Sequence, residues 1–332
     1  MTDRRYRAVL AAVIGCLVGV LAGCTSTPTP PNNVAPNTVA PNTAASNTAV
    51  PNTAVPNTIA LHGAPSPADP IPAASPSNAT EPTTIEPPVA PVRVLQLNLC
   101  NSGIAACYTG RSTAQAATVI HAQNPDLITL NEICQDDLPA LQQALAEVIP
   151  DAGIVSAFEG ARDRRTGDVY RCRNGQPYGI GLISRWPSVP GSATGGGIYP
   201  TQDTDDPEER AWLCLGVAAS PAINVCTTHL ADTKLEVAAA QCSYLFGTVI
   251  AHLREVDPAV PVVLGGDLNL GPGDSASVRS CLPAASALAD DGGVQLVVAT
   301  PEFVVSDSQR IDLRGTTDHP GLLVTLSPHA GR

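Results

Sequence analysis

The sequence predicts a layered α/β domain over residues 92–332. Apolar runs with strand periodicity alternate with helical patterns in both halves of this segment. Several of the apolar runs end in polar residues of catalytic type: Leu97-Asn98-Leu99, Leu130-Asn131-Glu132, Thr227-Thr228-His229, Gly266-Asp267-Leu268-Asn269 and Thr317-Asp318-His319. A site assembled at strand ends points to a reaction class, which fold alone does not.

The elements follow in order. Residues 92–99 alternate apolar and polar and read as a strand. Ser112 is placed to cap a helix that runs to about Gln123, and residues 126–133 form the next strand. Asp136 or Asp137 can cap a second helix, apolar at Leu138, Leu141, Leu145 and Val148. Strands are expected at 153–158 and 178–184. A hairpin follows, with strands 210–219 and 222–230 around Ser220-Pro221. A long amphipathic helix over 233–254 leads to a buried strand at 260–265, and strands near 294–299 and 321–326 complete the domain.

Residues 1–91 have a different character. Residues 2–7 carry three arginines, and an apolar run over 8–23 stops at Cys24. Such a run is short for a membrane span and typical of a secretory signal. Its end, Leu21-Ala22-Gly23-Cys24, resembles the lipobox of bacterial lipoproteins. The resemblance implies a signal peptide over 1–23, lipidation of Cys24, and a membrane-anchored, extracytoplasmic protein. Residues 24–91 are rich in Pro, Thr, Asn and Ala, with a repeated five-residue unit such as Ala49-Val50-Pro51-Asn52-Thr53. This composition cannot bury a core and is expected to form a disordered, extended spacer.

Residues 92–332 carry 15 basic and 26 acidic residues, a net charge of −11. A strongly acidic surface lowers non-specific affinity for polyanions. Arg162, Arg164, Arg165, Arg171 and Arg173 cluster locally, either as a solvated loop or as a phosphate-facing hairpin. The same segment holds eight cysteines, an even number in an extracytoplasmic setting, so disulfides are expected. Cys214 and Cys226 lie equally far from the hairpin turn and would be direct cross-strand neighbours. Cys100 and Cys107 close the loop after the first strand; Cys134 with Cys172, and Cys242 with Cys281, follow by elimination.

The ordered set Asn98, Glu132, His229, Asp267-x-Asn269 and Asp318-His319 resembles the endonuclease/exonuclease/phosphatase superfamily across nearly all of the domain. The resemblance implies a four-layer α/β sandwich: two packed mixed β-sheets with helices outside. It also implies a metal-dependent phosphoesterase, with magnesium as the expected ion and manganese or calcium as alternatives. Phosphoester hydrolysis needs an in-line water, charge neutralisation on the phosphoryl oxygens and help for the leaving oxygen.

By this resemblance, Glu132, Asn98 and Asp318 are the metal residues, Glu132 as a hard oxygen ligand. Asp267 orients or deprotonates water. Asn269, Arg210 and Asn98 contact the phosphate. His229 and His319 serve in proton transfer or phosphate contact, with Asp318 beside His319. The aspartate that orients the last histidine in this family has two candidate replacements here, Gln295 and Asp312. Tyr178 stands where the deoxyribonuclease branch has a carboxylate partner for His229. The substrate is a nucleic acid, a phospholipid or a small phosphoester, acted on by a monomer. The alternative is a surface binding protein that kept the fold and lost the chemistry.

Overall fold

The computed structural model describes residues 90–192 and 195–329. The expected signal sequence, Cys24 and the repeat spacer lie outside the described residues. The strands are β1 (Val92–Asn98), β2 (Leu127–Cys134), β3 (Val155–Gly160), β4 (Arg162–Asp163), β5 (Tyr178–Ser184), β6 (Gly195–Ile198), β7 (Glu208–Glu209), β8 (Ala211–Val217), β9 (Ile223–His229), β10 (Val262–Asp267), β11 (Ala287–Asp290), β12 (Gln295–Ala299), β13 (Phe303–Ile311) and β14 (Gly321–Pro328). The helices are α1 (Ser112–Gln123), α2 (Leu138–Val148), α3 (Leu235–Tyr244) and α4 (Ala251–Val256), with a π-helical turn over Leu245–Ile250 between the last two.

Two six-stranded mixed sheets form, in the orders β13-β14-β1-β2-β5-β3 and β11-β12-β10-β9-β8-β6. β1 runs parallel to β2, and β10 parallel to β9. Their inner faces share one apolar cluster, with Val94, Leu127, Leu182 and Val324 from the first sheet against Leu213, Val225, Val263 and Val297 from the second. Outside the first sheet, Ala116, Ile120, Leu141 and Leu145 of α1 and α2 cover Leu95, Leu97, Ile128 and Leu130. Outside the second, Ala238, Phe246, Ile250 and Leu253 cover Val262, Leu264 and Val298. The expected four layers are therefore present.

The inner faces change character along the strands. Side chains alternate with period two, so β1 sends Val92, Val94, Gln96 and Asn98 inward, and β10 sends Val263, Gly265 and Asp267. Apolar residues fill one end of the interlayer; buried Gln96, Asn98, Thr129, Asn131, Thr227, Asp267 and Gln295 fill the other. At Gly265 the sheets approach closely: a Cβ there would lie 2.1 Å from Thr129 Oγ1.

Several expectations need correction. Ser112 does not cap α1, and Asp137 sits at the N-cap position of α2 without a side-chain cap there; it closes a capping box on the 3-10 turn Gln135–Asp137 just before. Ser112 is already helical, and its hydroxyl donates to Asn101 Oδ1. Asp137 instead accepts from the Cys134 backbone N–H and from Asn101. The 233–254 helix is interrupted by the π turn. β4, β6, β7, β11 and β13 have no counterpart among the expected strands: β4 and β7 have two residues each, β11 four, β6 is glycine-rich, and β13 is an edge strand with mostly exposed side chains. The four disulfides pair as expected, and Cys214 faces Cys226 directly across β8 and β9. Among the described residues no helix is long and apolar enough to cross a membrane.

Candidate active site

A cleft of about 450 Å³ opens where the polar ends of the two sheets meet. Glu132, Arg210, His229, Asp267, Asn269, Asp318 and His319 all line it. Seven of the residues singled out in the sequence thus converge on one cavity.

Local backbone departures aim these groups. The β2–β5 register shifts between Leu130 and Ile133, and Glu132 within that bulge has φ 53°. A bulge re-aims a side chain that regular pleating would send elsewhere. Asn269 also adopts positive φ, at 49°. The segment after Asp267 is therefore a turn. Its backbone N–H donates to Asp267 Oδ1 at 3.2 Å, and Asn269 Nδ2 donates to the Leu230 carbonyl at 2.9 Å. Left-handed conformations of non-glycine residues are costly and cluster at functional sites.

Asn98 lies beneath the cleft rather than in its wall. Its Nδ2 donates to Glu132 Oε1 at 2.9 Å and to Asp267 Oδ2 at 3.1 Å. Its Oδ1 accepts from the Cys100 backbone N–H at 3.1 Å. In this arrangement Asn98 orients the two carboxylates, and its oxygen does not face metal or phosphate. His319 Nε2 stands 3.5 Å from Asp267 Oδ2 and 3.9 Å from Asp318 Oδ1. Neither proposed replacement orients His319 directly. Asp312 is an exposed turn residue that accepts from the Arg314 backbone N–H. Gln295 donates to Asp267 at 2.6 Å, so it acts one residue away from the imidazole.

On the opposite wall, Arg210 Nη1 lies 2.8 Å from His229 Nδ1 and 3.1 Å from Nε2. Asp206, Glu208 and Asp232 surround the same guanidinium at 3.1, 3.4 and 3.1 Å. Arg210 Nε is buried without a partner. The sequence pointed to this arginine as a phosphate contact; its terminal nitrogens are engaged by His229 and the carboxylates. Tyr178 does line the cleft, but the partner of His229 is Arg210.

The electrostatics follow from burial. Burial pushes the Glu132 and Asp267 carboxyls upward, against the hydrogen bond from Asn98 to Glu132 and the His319 charge beside Asp267. Burial first, then Arg210 and His319, holds His229 well below the ordinary imidazole range. The cleft wall has six carboxylates and one guanidinium. A divalent cation fits that donor set: hard oxygens, two of them buried with little compensating charge. One tight cluster of donor atoms, Cys100, Cys107 and Glu132, is not such a site, because its two sulfurs are joined as a disulfide.

The clustered arginines turn away from this chemistry. None of the five lines the cleft. Arg162 pairs with Glu209, Arg164 binds the carbonyls of Asp203 and Asp206, and Arg165 pairs with Asp163. The sequence gives no signal for Asp206, Glu208 and Asp232 as a group, because Asp232 lies far along the chain from the other two, and none for a role of Asn131.

A model of the Endonuclease/Exonuclease/phosphatase family matches residues 95–320, which contain every one of these cleft residues. The chain belongs to this family. Its fold is shared by an endonuclease/exonuclease/phosphatase from Beutenbergia cavernae, 24% identical over 72% of each chain, with TM-score 0.52. The human Nocturnin catalytic domain is 16% identical, covering 73% of this chain and 94% of its own, also with TM-score 0.52. TDP2 from D. rerio, complexed with single strand DNA product, is 15% identical, covering 72% and 99%, with TM-score 0.50. No curated protein sequence matches the chain. Membership in the Endonuclease/Exonuclease/phosphatase family supports hydrolysis of the phosphoesterase or nuclease type.

Proposed function

We propose that the protein is a magnesium-dependent phosphoesterase, anchored through Cys24 on the extracytoplasmic face of a membrane. One observation carries the reading: Asn98 bridges Glu132 and Asp267 at the floor of a cleft flanked by His229 and His319. Glu132, with Asp318 at the cleft edge, would hold the cation. The cation supplies Lewis-acid neutralisation of phosphoryl charge.

The remaining roles belong to the chain itself. Asp267 accepts the proton of the attacking water, its carboxylate fixed by Asn98, Gln295 and the Asn269 backbone. His319, beside Asp267, and Asn269 face the phosphoryl group. Arg210 can only donate, so the closer ring nitrogen of His229, Nδ1, accepts and Nε2 carries the proton. A neutral His229 then donates from Nε2 to a phosphoryl oxygen. Fixed donors in a cleft of low dielectric stabilise developing charge without reorganisation.

TDP2 bound to single-stranded DNA product supports a phosphodiester as substrate. The acidic cleft wall, and arginines already paired elsewhere, favour a short phosphoester over a long polyanion. The test is a panel of DNA, RNA, phospholipids and inositol phosphates, assayed with magnesium and with chelator. Hydrolysis of at least one, abolished by chelator, is expected; none hydrolysed under any condition would contradict the enzyme reading. For the anchor, Cys24→Ser is expected to release the protein from the membrane fraction or leave it unprocessed. Normal processing and retention would overturn it.

A further inference from the structure

Beneath the cleft the two sheets enclose polar side chains with almost no solvent contact: Gln96, Thr129, Asn131, Asp267 and Gln295. Buried amides must be satisfied, and each has two chemically different ends. One unambiguous donor fixes them all. The backbone N–H of Asp267 donates to Asn131 Oδ1 at 2.8 Å. Asn131 therefore points its oxygen at Asp267, and its nitrogen donates to the Thr228 carbonyl at 2.9 Å.

The same Asn131 oxygen lies 2.6 Å from Gln96, which must present its nitrogen there. The Thr129 hydroxyl donates to the other end, Gln96 Oε1. Gln96 Nε2 also reaches Gln295 Oε1 at 3.0 Å. With its oxygen turned to Gln96, Gln295 has only its nitrogen left for Asp267, and Nε2 donates to Oδ2 at 2.6 Å. The circuit leaves Asp267 through its backbone and returns to its carboxylate.

We propose that Gln295, Gln96 and Asn131 are positioning residues for Asp267, forming an amide circuit of fixed orientation that keeps a neutral donor on Oδ2 and fixes the carboxylate facing the cleft. Gln96 touches neither Asp267 nor the cleft, yet it decides which end of Gln295 faces Asp267. A glutamate at 295 would set a second carboxylate against the first. A flipped Gln295 would turn its oxygen on Oδ2 instead. The kinetic consequence rests on the hydrolase reading; the hydrogen-bond circuit itself does not.

The experiment is a double-mutant cycle with Gln96→Met and Gln295→Met, read in two ways. In steady-state hydrolysis with magnesium, each single variant is expected to lower kcat about 10- to 100-fold with KM within about threefold, since misplacing a reacting group by about 1 Å costs this much. The double variant should lose little more than either single one. Independently, the Gln295 side-chain amide protons should exchange slowly in the wild type by NMR. They should lose that protection in Gln96→Met. Should a methionine variant not fold, Gln295→Glu, which keeps the shape, is expected to show the same fall in kcat. A wild type that hydrolyses nothing overturns the hydrolase reading and leaves the NMR arm to decide the circuit. Additive losses in kcat, unchanged kcat in Gln295→Glu, or a Gln295 amide indifferent to Gln96→Met would overturn the proposal.

Discussion

Arg210 Nη1 lies 2.8 Å from His229 Nδ1 and 3.1 Å from Nε2; a guanidinium only donates, so the shorter contact assigns the accepting lone pair to Nδ1. Burial works against the Arg210 guanidinium, but the carboxylates around it outweigh that and keep it charged; burial first, then Arg210, keeps His229 neutral. The wild type should show His229 by 15N NMR as the neutral Nε2–H tautomer at pH 6. Arg210→Met removes the tautomer lock and is expected to cost about 10²–10³ in kcat/KM, the scale for one preorganised donor. An imidazolium, or an Nδ1–H tautomer, in the wild type would contradict this role.

Glu208 makes the cleft sensitive to pH. Burial is the main cause that pushes its carboxyl up to about 7, with Arg210 opposing and Glu132, Asp206 and Asp232 adding. Between the ordinary glutamate value of 4.5 and about 7 the folded protein holds a proton that the unfolded chain has lost. Stability therefore falls as pH rises through that window. Glu208→Gln has no such proton, so relative to wild type it should gain about 1–3 kcal/mol at pH 8 and much less at pH 5. Denaturant unfolding with chelator present measures this. Parallel pH profiles for the two proteins would refute it.

Gly265 sets the spacing of the sheets. An added Cβ would sit 2.1 Å from Thr129 Oγ1 and 3.0 Å from Thr129 Cβ. Gly265→Ala is expected to lose about 1–3 kcal/mol, the usual cost of overpacking a filled interior. Adding Thr129→Ala should recover part of the loss, so the two changes should be less than additive by thermal unfolding. Simple additivity would place the clash elsewhere.

Much of this was legible in the sequence where the determinants are local. The β8–β9 hairpin and the Cys214–Cys226 bridge follow from symmetry about one turn. Glu132, His229 and Asp267 follow from polar residues at the ends of apolar runs, and His319 from the Asp-His pair in the loop before β14. The rest depends on distant segments. Gln96 and Gln295 are 199 residues apart in the chain, and nothing local marks them as partners. The residue type of Arg210 was legible, but not the carboxylates that enclose it. The positive φ of Glu132 arises from a register shift between strands, which periodicity does not reveal.

The central claim is that Glu132 holds a cation while Asp267 works on water, and a magnesium titration of two isosteric variants separates these roles. Glu132→Gln keeps shape and loses the charge; its deficit should shrink as magnesium rises. Asp267→Asn should remain down by about 10²–10⁴ at every concentration, the range for a proton-transfer group. Full activity in Asp267→Asn, or wild-type activity undiminished by chelator, would contradict the account.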